Sequence, residues 1–290
     1  MKTHSWSSLR SAAITILCVS SLAASSFAAT KPLSYPYGLA VDAKGNLYVA
    51  NNGSSEILVY NPNYEQVPSK TITSGIVGPT GVAFDPQGNL WVANYGASNG
   101  GDDGSVAEYV DGKEGLTITN AILGPEAISV DALGNIWVEN DFSNVTVYGQ
   151  LGIYPNNDAP TTLLQAYTPS TPIYGIATSG NIFAWGSNAA VNFAAETFLL
   201  LSGQYAGWYI DGQTFSLAAD AHGNFYEANF SGQVTVSTPG SGITSSFATL
   251  SFTPNGIAVD SLRGRVYFSN YNGNSISVYN TSGELLKVIQ

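Results

Sequence analysis

Along the chain, short runs in which apolar and polar residues alternate are separated by Gly, Asn and Asp, and the alternation repeats at long range. Pro36-Tyr37-Gly38-Leu39-Ala40-Val41-Asp42 leads to Gly45-Asn46-Leu47-Tyr48-Val49-Ala50-Asn51, then to Ile57-Leu58-Val59-Tyr60. The same order returns from Pro79 to Asn94, from Pro125 to Asn140, in degenerate form from Ile173 to Ala184, from Thr214 to Asn229, and from Pro254 to Asn270. The equivalent positions Asp42, Asp85, Asp131, Thr178, Asp220 and Asp260 are spaced by 40 to 47 residues. Period-two alternation bounded by turn residues predicts strands, and no helical period rises above it. A fourth run completes several copies, as at 70–73 and 285–289.

A four-stranded meander repeated six times predicts an all-β fold, a six-bladed β-propeller of four-stranded antiparallel blades. One aromatic recurs at a fixed strand position: Tyr48, Trp91, Trp137, Phe183, Tyr226 and Tyr267. Packing between neighbouring blades, each burying both faces, is the expected reason. Asp three residues before Gly is the spacing of a tight turn, in which Asp accepts from backbone N–H groups and Gly takes the left-handed position. It lacks the alternating acidic series of a calcium loop.

Residues 1–28 read as a secretory signal peptide: Lys2 and Arg10 give a positive start, an apolar stretch follows, and Ser26-Phe27-Ala28 offers a cleavage site. Residues 29–290 then form a single six-bladed domain, secreted into an extracellular or periplasmic space. Cleavage removes the one cysteine, Cys18, and leaves 7 basic against 20 acidic residues, a net charge of −13, with His222 as the sole histidine. Such an acidic chain excludes phosphate-backbone binding, so no nucleic-acid partner is expected. No membrane span is expected after cleavage.

The repeat Pro-x-Gly-(apolar)-Ala-Val-Asp-x-x-Gly-Asn-Leu-(aromatic)-Val-Ala-Asn resembles the NHL-repeat propellers, from Pro36 to the C-terminus and most weakly between Leu151 and Gln213. That resemblance implies architecture more than activity, because the class hosts enzymes, binding modules and scaffolds. Pro254-Asn255-Gly256-Ile257 also resembles a segment of the gluconolactonase (senescence-marker-like) propellers, which implies a divalent-metal ligand at Asn255.

Counting outward from each inner hairpin places Tyr37 opposite Asn51, Thr80 opposite Asn94, Glu126 opposite Asn140 and Phe215 opposite Asn229, with Asn255 near Asn270 and Tyr174 near Ser187. The top face of the central channel is thus expected to carry Tyr37, Thr80, Glu126, Tyr174, Phe215 and Asn255, backed by a ring of Asn. Aromatic rings with amides suit a small molecule, a glycan or a protein partner. The alternative for the Asn ring is the capping of hairpin turns.

No catalytic grouping stands out, and neither a cofactor nor a metal site is predicted. There is no Ser/His/Asp set, Walker loop or zinc spacing. Glu126 and Asn255 belong to the third and sixth repeats, opposite one another in a six-fold ring. Streptogramin-lyase-like and amidating-lyase-like propellers rely on histidines, and His222 lies on the Asp-turn face. Glu139 and Glu227 replace small or apolar residues of the repeat, and exposure is the expected fate of both. The insertion at 99–104, with Asp102 and Asp103, is expected to be a solvated loop. The sequence therefore predicts a binding or interaction module acting through its top face, with a metal-dependent lactonase or related hydrolase as the alternative.

Overall fold

The computed structural model describes residues 29–97, 103–120, 122–140, 144–148, 161–165, 173–179, 182–187, 190–195, 208–211, 214–238 and 243–290; between 144 and 211 its side chains are described only at 175–179 and 184. Residues 1–28, expected to be a signal peptide, and Asp102 lie outside the described residues. The strands run in chain order. The first sheet comprises β1 Pro36–Val41, β2 Leu47–Asn51 and β3 Glu56–Tyr60, and the second β4 Pro79–Phe84, β5 Leu90–Asn94, β6 Ser105–Val110 and β7 Lys113–Ile118. The third holds β8 Pro125–Val130, β9 Ile136–Asn140, β10 Asn144–Tyr148 and β11 Thr161–Gln165. The fourth holds β12 Ile173–Ser179, β13 Ile182–Ser187, β14 Ala190–Ala195 and β15 Trp208–Asp211. The fifth holds β16 Ser216–Ala219, β17 Phe225–Ala228, β18 Gln233–Thr238 and β19 Ile243–Thr249, and the last β20 Ile257–Asp260, β21 Arg265–Asn270, β22 Ser275–Asn280 and β23 Leu285–Ile289.

Among the described residues the fold is all-β, and every sheet is an antiparallel meander of consecutive strands. The first strands of the sheets stand side by side, β1 against β4, β4 against β8, β8 against β12, β12 against β16, β16 against β20 and β20 against β1. Sequence-local hairpins thus build each sheet, and face-to-face packing joins them. The recurring aromatics supply that packing where their side chains are described. Tyr48 packs with Ile72, Val82 and Val92, Trp91 with Ile128 and Val138, Tyr226 with Ile257 and Phe268, and Tyr267 with Leu39 and Leu33. Trp137 is fully buried, whereas Phe183 lies outside the described side chains.

The first sheet departs from the expected four strands. Residues 66–73, which include the expected fourth run at 70–73, meet β3 through single bridges only, Ile57 with Ile72 and Tyr60 with Gln66. Between those bridges Pro68, which has no N–H to offer a ladder, opens a 3₁₀ turn at Pro68–Lys70. The last run, Leu285–Ile289, does form the expected outer strand, β23.

Each seam between sheets carries a side chain bonded to the neighbouring backbone. Asn52 donates to Pro79 O, Thr80 to Pro125 O, Thr178 to Val130 O, Ser179 to Asp220 O, Ser216 to Pro254 O and Ser269 to Tyr37 O. Among the described residues no strand is exchanged across the first and last sheets. Instead, both arginines of residues 29–290 work at that seam: Arg263 donates to Lys44 O, and Arg265 donates to Pro62 O while lying over the Tyr64 ring. Residues 31–34 pack on the first sheet, with Leu33 in its core and Lys31 paired with the buried Glu56.

Candidate functional site

The innermost strands converge because Pro-x-Gly removes side chains where the backbones meet. A Cβ on Gly38 would lie 2.5 Å from Thr80 O and one on Gly256 2.4 Å from Tyr37 O, inside any tolerable contact. The resulting channel holds a cavity of about 60 Å³, lined by Tyr37, Thr80, Glu126, Ser216 and Asn255 among others. Such a space takes water or the tip of a ligand, not a whole molecule.

One sequence expectation is corrected here. The register pairs Pro36 with Asn51, Pro79 with Asn94 and Pro125 with Asn140, and Ile173 with Ser187, one residue away from the simple count. A bulge after each Pro or Ile accounts for the shift. Bulges re-aim side chains, and this one accompanies the projection of Tyr37, Thr80 and Glu126 into the channel.

Tyr37 is the centre of the resulting group. Its hydroxyl donates to Glu126 Oε2 at 2.8 Å, and Asn255 donates to the same phenol. Burial raises the Tyr37 pKa well above its ordinary value, and the charges of Glu126 and Glu139 raise it further. The phenol is therefore a neutral donor throughout the physiological range. Glu126 and Asn255, from the third and sixth repeats, thus both meet the Tyr37 phenol.

The other expected residues divide. Thr80 lines the cavity, but its hydroxyl is committed to Pro125 O at 2.6 Å and Ala93 O at 3.3 Å. Phe215 is not part of the lining and packs on Phe230 at 4.8 Å between centroids. The Tyr174 side chain lies outside the described residues. Three aromatics flanking the mouth escaped the sequence reading: Tyr271 stacks near Tyr35 at 4.9 Å and edge-on to Tyr37 at 5.8 Å, and Phe230 covers Phe215. Phe230 and Tyr271 each follow the terminal Asn of a repeat, which is the signal that pointed to them.

The Asn ring has two fates. Asn51, Asn94 and Asn140 are buried and accept from Ser34 N, Val77 N and Leu123 N, so they fasten the segment entering their own sheet. Asn229 and Asn270 cap turns, accepting from Ser231 N and Gly273 N. The Asp turns behave as expected. Asp42, Asp85, Asp131 and Asp220 each accept two backbone N–H groups and the amide of the following Asn, and Trp91 and Trp137 donate to Asp85 and Asp131. His222 is exposed on one of these turns. Asp103 accepts from Ala97 N.

The expected exposure of Glu139 and Glu227 is overturned: both are buried, at 0% and 5%. Each stands mid-strand, in β9 and β17, where the neighbouring sheet covers it. Glu227 is hydrogen-bonded by Thr235 and Ser237, yet burial outweighs them and pushes its pKa up to about 7. Among the described residues no three His, Cys, Asp or Glu side chains converge as a metal site.

No family model matches the chain, and no curated protein matches it either. Solved structures do share its fold. A virginiamycin B lyase from Staphylococcus aureus superposes with a TM-score of 0.57 at 13% identity, covering 87% of this chain and 83% of that one. A gluconolactonase from Xanthomonas campestris gives 0.62 at 14% identity over 82% and 84%. A streptogramin B lyase gives 0.61 at 12% identity over 91% and 85%. All three are propeller-type folds, and this chain is similar to them in architecture.

Proposed function

We propose that the protein is a secreted, six-bladed propeller of the NHL-repeat type, with residues 1–28 as its signal peptide. In this reading it binds a polyhydroxylated ligand, a sugar or glycan, across its central mouth. The observation that carries this reading is the Tyr37–Glu126 bond of 2.8 Å in a cavity too small to enclose a ligand. One ligand hydroxyl can enter and donate to the Glu126 carboxylate, while the body lies between the Tyr35–Tyr271 and Phe215–Phe230 pairs. Aromatic faces suit the C–H faces of a sugar ring, and the acidic surface disfavours anionic ligands. Calorimetry against neutral oligosaccharides tests it. Glu126→Gln and Tyr37→Phe are expected to weaken binding by about tenfold each, on the scale of a hydrogen bond to a charged group, at unchanged melting temperature. Unaltered binding refutes the site.

A metal-assisted hydrolase is the second reading. The meeting of Glu126 and Asn255 at one phenol favours it, as does the shared fold with a gluconolactonase. The donor set falls short of the six or more oxygens that calcium or magnesium usually takes. A divalent ion retained through dialysis, together with turnover of a lactone panel, would replace the binding reading.

A further inference from the structure

The central cavity carries negative charge with nothing beside it to balance it. Glu126 is the charged side chain among the described residues of its lining. All seven basic residues of 29–290 lie elsewhere. Lys31 is paired with Glu56, Arg263 and Arg265 hold the closing seam, Lys113 and Lys287 stand on the outer strands β7 and β23, and Lys44 and Lys70 line a cleft beside the Asp42 turn. The buried Glu139 adds a second negative charge that bears on the Tyr37 phenol. We infer that the cavity takes the primary ammonium group of an amino sugar, an inference that rests on the reading of the mouth as a sugar site.

The hydroxyls of the described lining give their protons to the protein itself. Tyr37 donates to Glu126 at 2.8 Å, Thr80 to Pro125 O at 2.6 Å and Ser216 to Pro254 O at 2.9 Å. What these oxygens can still offer is acceptor capacity, together with a Glu126 carboxylate that has room for about four bonds. The side chain of an entering group is therefore asked to donate. An ammonium brings three N–H donors and no acceptor, whereas a hydroxyl brings one donor and two lone pairs that need donors of their own. Ammonium bonds to a carboxylate are also charge-assisted, about twice as strong as neutral ones. A trimethylammonium group would meet the charge without the acceptors, and a carboxylate would meet neither.

The rings carry the same preference out to the rim. Tyr271 stands edge-on to Tyr37 at 5.8 Å and leans on Tyr35 at 4.9 Å, and Tyr35 is 45% exposed. An aromatic path thus leads from solvent to the phenol that holds Glu126. The C–H face of a sugar ring lies well on such rings, and their π faces attract a nearby cation. The cavity of about 60 Å³ admits the small charged head while the sugar body stays on the rings outside it.

Calorimetric titration of the whole protein with the β-1,4 trimer of glucosamine tests this. Cellotriose, which has a hydroxyl in place of each amine, is the uncharged match, and the N-acetylglucosamine trimer removes the charge by acylation. The glucosamine trimer is expected to bind about fivefold more tightly than cellotriose, the scale of one partly exposed ion pair, with the preference weakened by salt. The acetylated trimer should show no such gain. Glu126→Gln should erase the preference. Asp111→Asn removes the same unit of charge from an exposed, left-handed position on the Asp-turn side, which Asn also accepts, and should leave the preference intact. Equal affinity for the glucosamine trimer and cellotriose overturns the inference and spares the sugar site; binding of none of the trimers overturns both. A preference that survives Glu126→Gln, or falls equally in Asp111→Asn, belongs to the general acidic field and overturns the assignment. Tighter binding of trilysine than of the glucosamine trimer overturns the choice of a sugar.

Discussion

Glu227 makes the stability of this protein depend on pH through one buried carboxyl. It lies in β17, paired with Leu217 and Thr235, where the first three repeats carry Val49, Val92 and Val138. One of its oxygens, Oε1, is buried with no hydrogen-bond partner. In the folded chain the carboxyl keeps its proton up to about pH 7, whereas its ordinary value is 4.5. Between these values the native state binds the extra proton, so stability falls as pH rises through the window and levels off above it. The difference is worth roughly 3 kcal/mol at neutral pH and above, on the order of 10 °C in melting temperature for a domain of this size. Glu227→Gln keeps the shape and removes the titration. Melting curves by circular dichroism between pH 5 and pH 8 should show the variant gaining on the parent as pH rises, most steeply between pH 5 and pH 7. Subtracting one curve from the other cancels the remaining carboxylates. Parallel curves would refute the placement of Glu227 in a dry interior.

Two further outcomes follow from the inner ring. Ser269→Ala removes a hydroxyl that donates to Tyr37 O and accepts from Gly256 N, and should cost about 1–3 kcal/mol in a urea titration because both backbone groups stay buried; an unchanged midpoint would deny the clasp. Gly38→Ala forces a Cβ to within 2.5 Å of Thr80 O and should cost more than Gly88→Ala, which meets nothing within 4 Å and bears only the left-handed penalty of about 1–2 kcal/mol. Equal melting temperatures for the two variants would contradict the close approach of the inner strands.

The repeat made the strands legible because each is a local event: period-two burial, an Asp–Gly turn, and the next run. Among the described residues from β4 onward, strands and turns fall where the pattern of Pro79 to Asn94 places them. The inner register was legible in part: Ser216 pairs with Ala228 and Ile257 with Phe268, as the count places them, whereas a bulge after Pro36 and its equivalents in the second to fourth repeats shifts the pairing without leaving any trace in the alternation. The mouth residues were found in part, Tyr37, Glu126 and Asn255 by their shared repeat position. Their convergence depends on a phenol reaching across the channel, a distance no spacing encodes. Glu139 and Glu227 were misjudged for a related reason. Carboxylates in strands are usually solvated, but here the face to which alternation assigns them is covered by the adjoining sheet. The Asn residues illustrate the same limit. One sequence signal serves Asn51 as a fastener and Asn270 as a turn cap, depending on which backbone N–H arrives nearby.

The unwoven seam between the first and last sheets has a consequence in time. Every sheet consists of consecutive strands, so each can form as soon as its own segment is free to fold, in order from the first. The ring itself cannot shut until the last sheet is synthesised, and Ser269, Arg263 and Arg265 then latch it to residues made more than 200 positions earlier. Folding therefore passes through an open arc, with the flank of the first sheet bare. The clasp is a final step, and the stretch around residue 265 is where a truncation would leave a folded but unfinished ring.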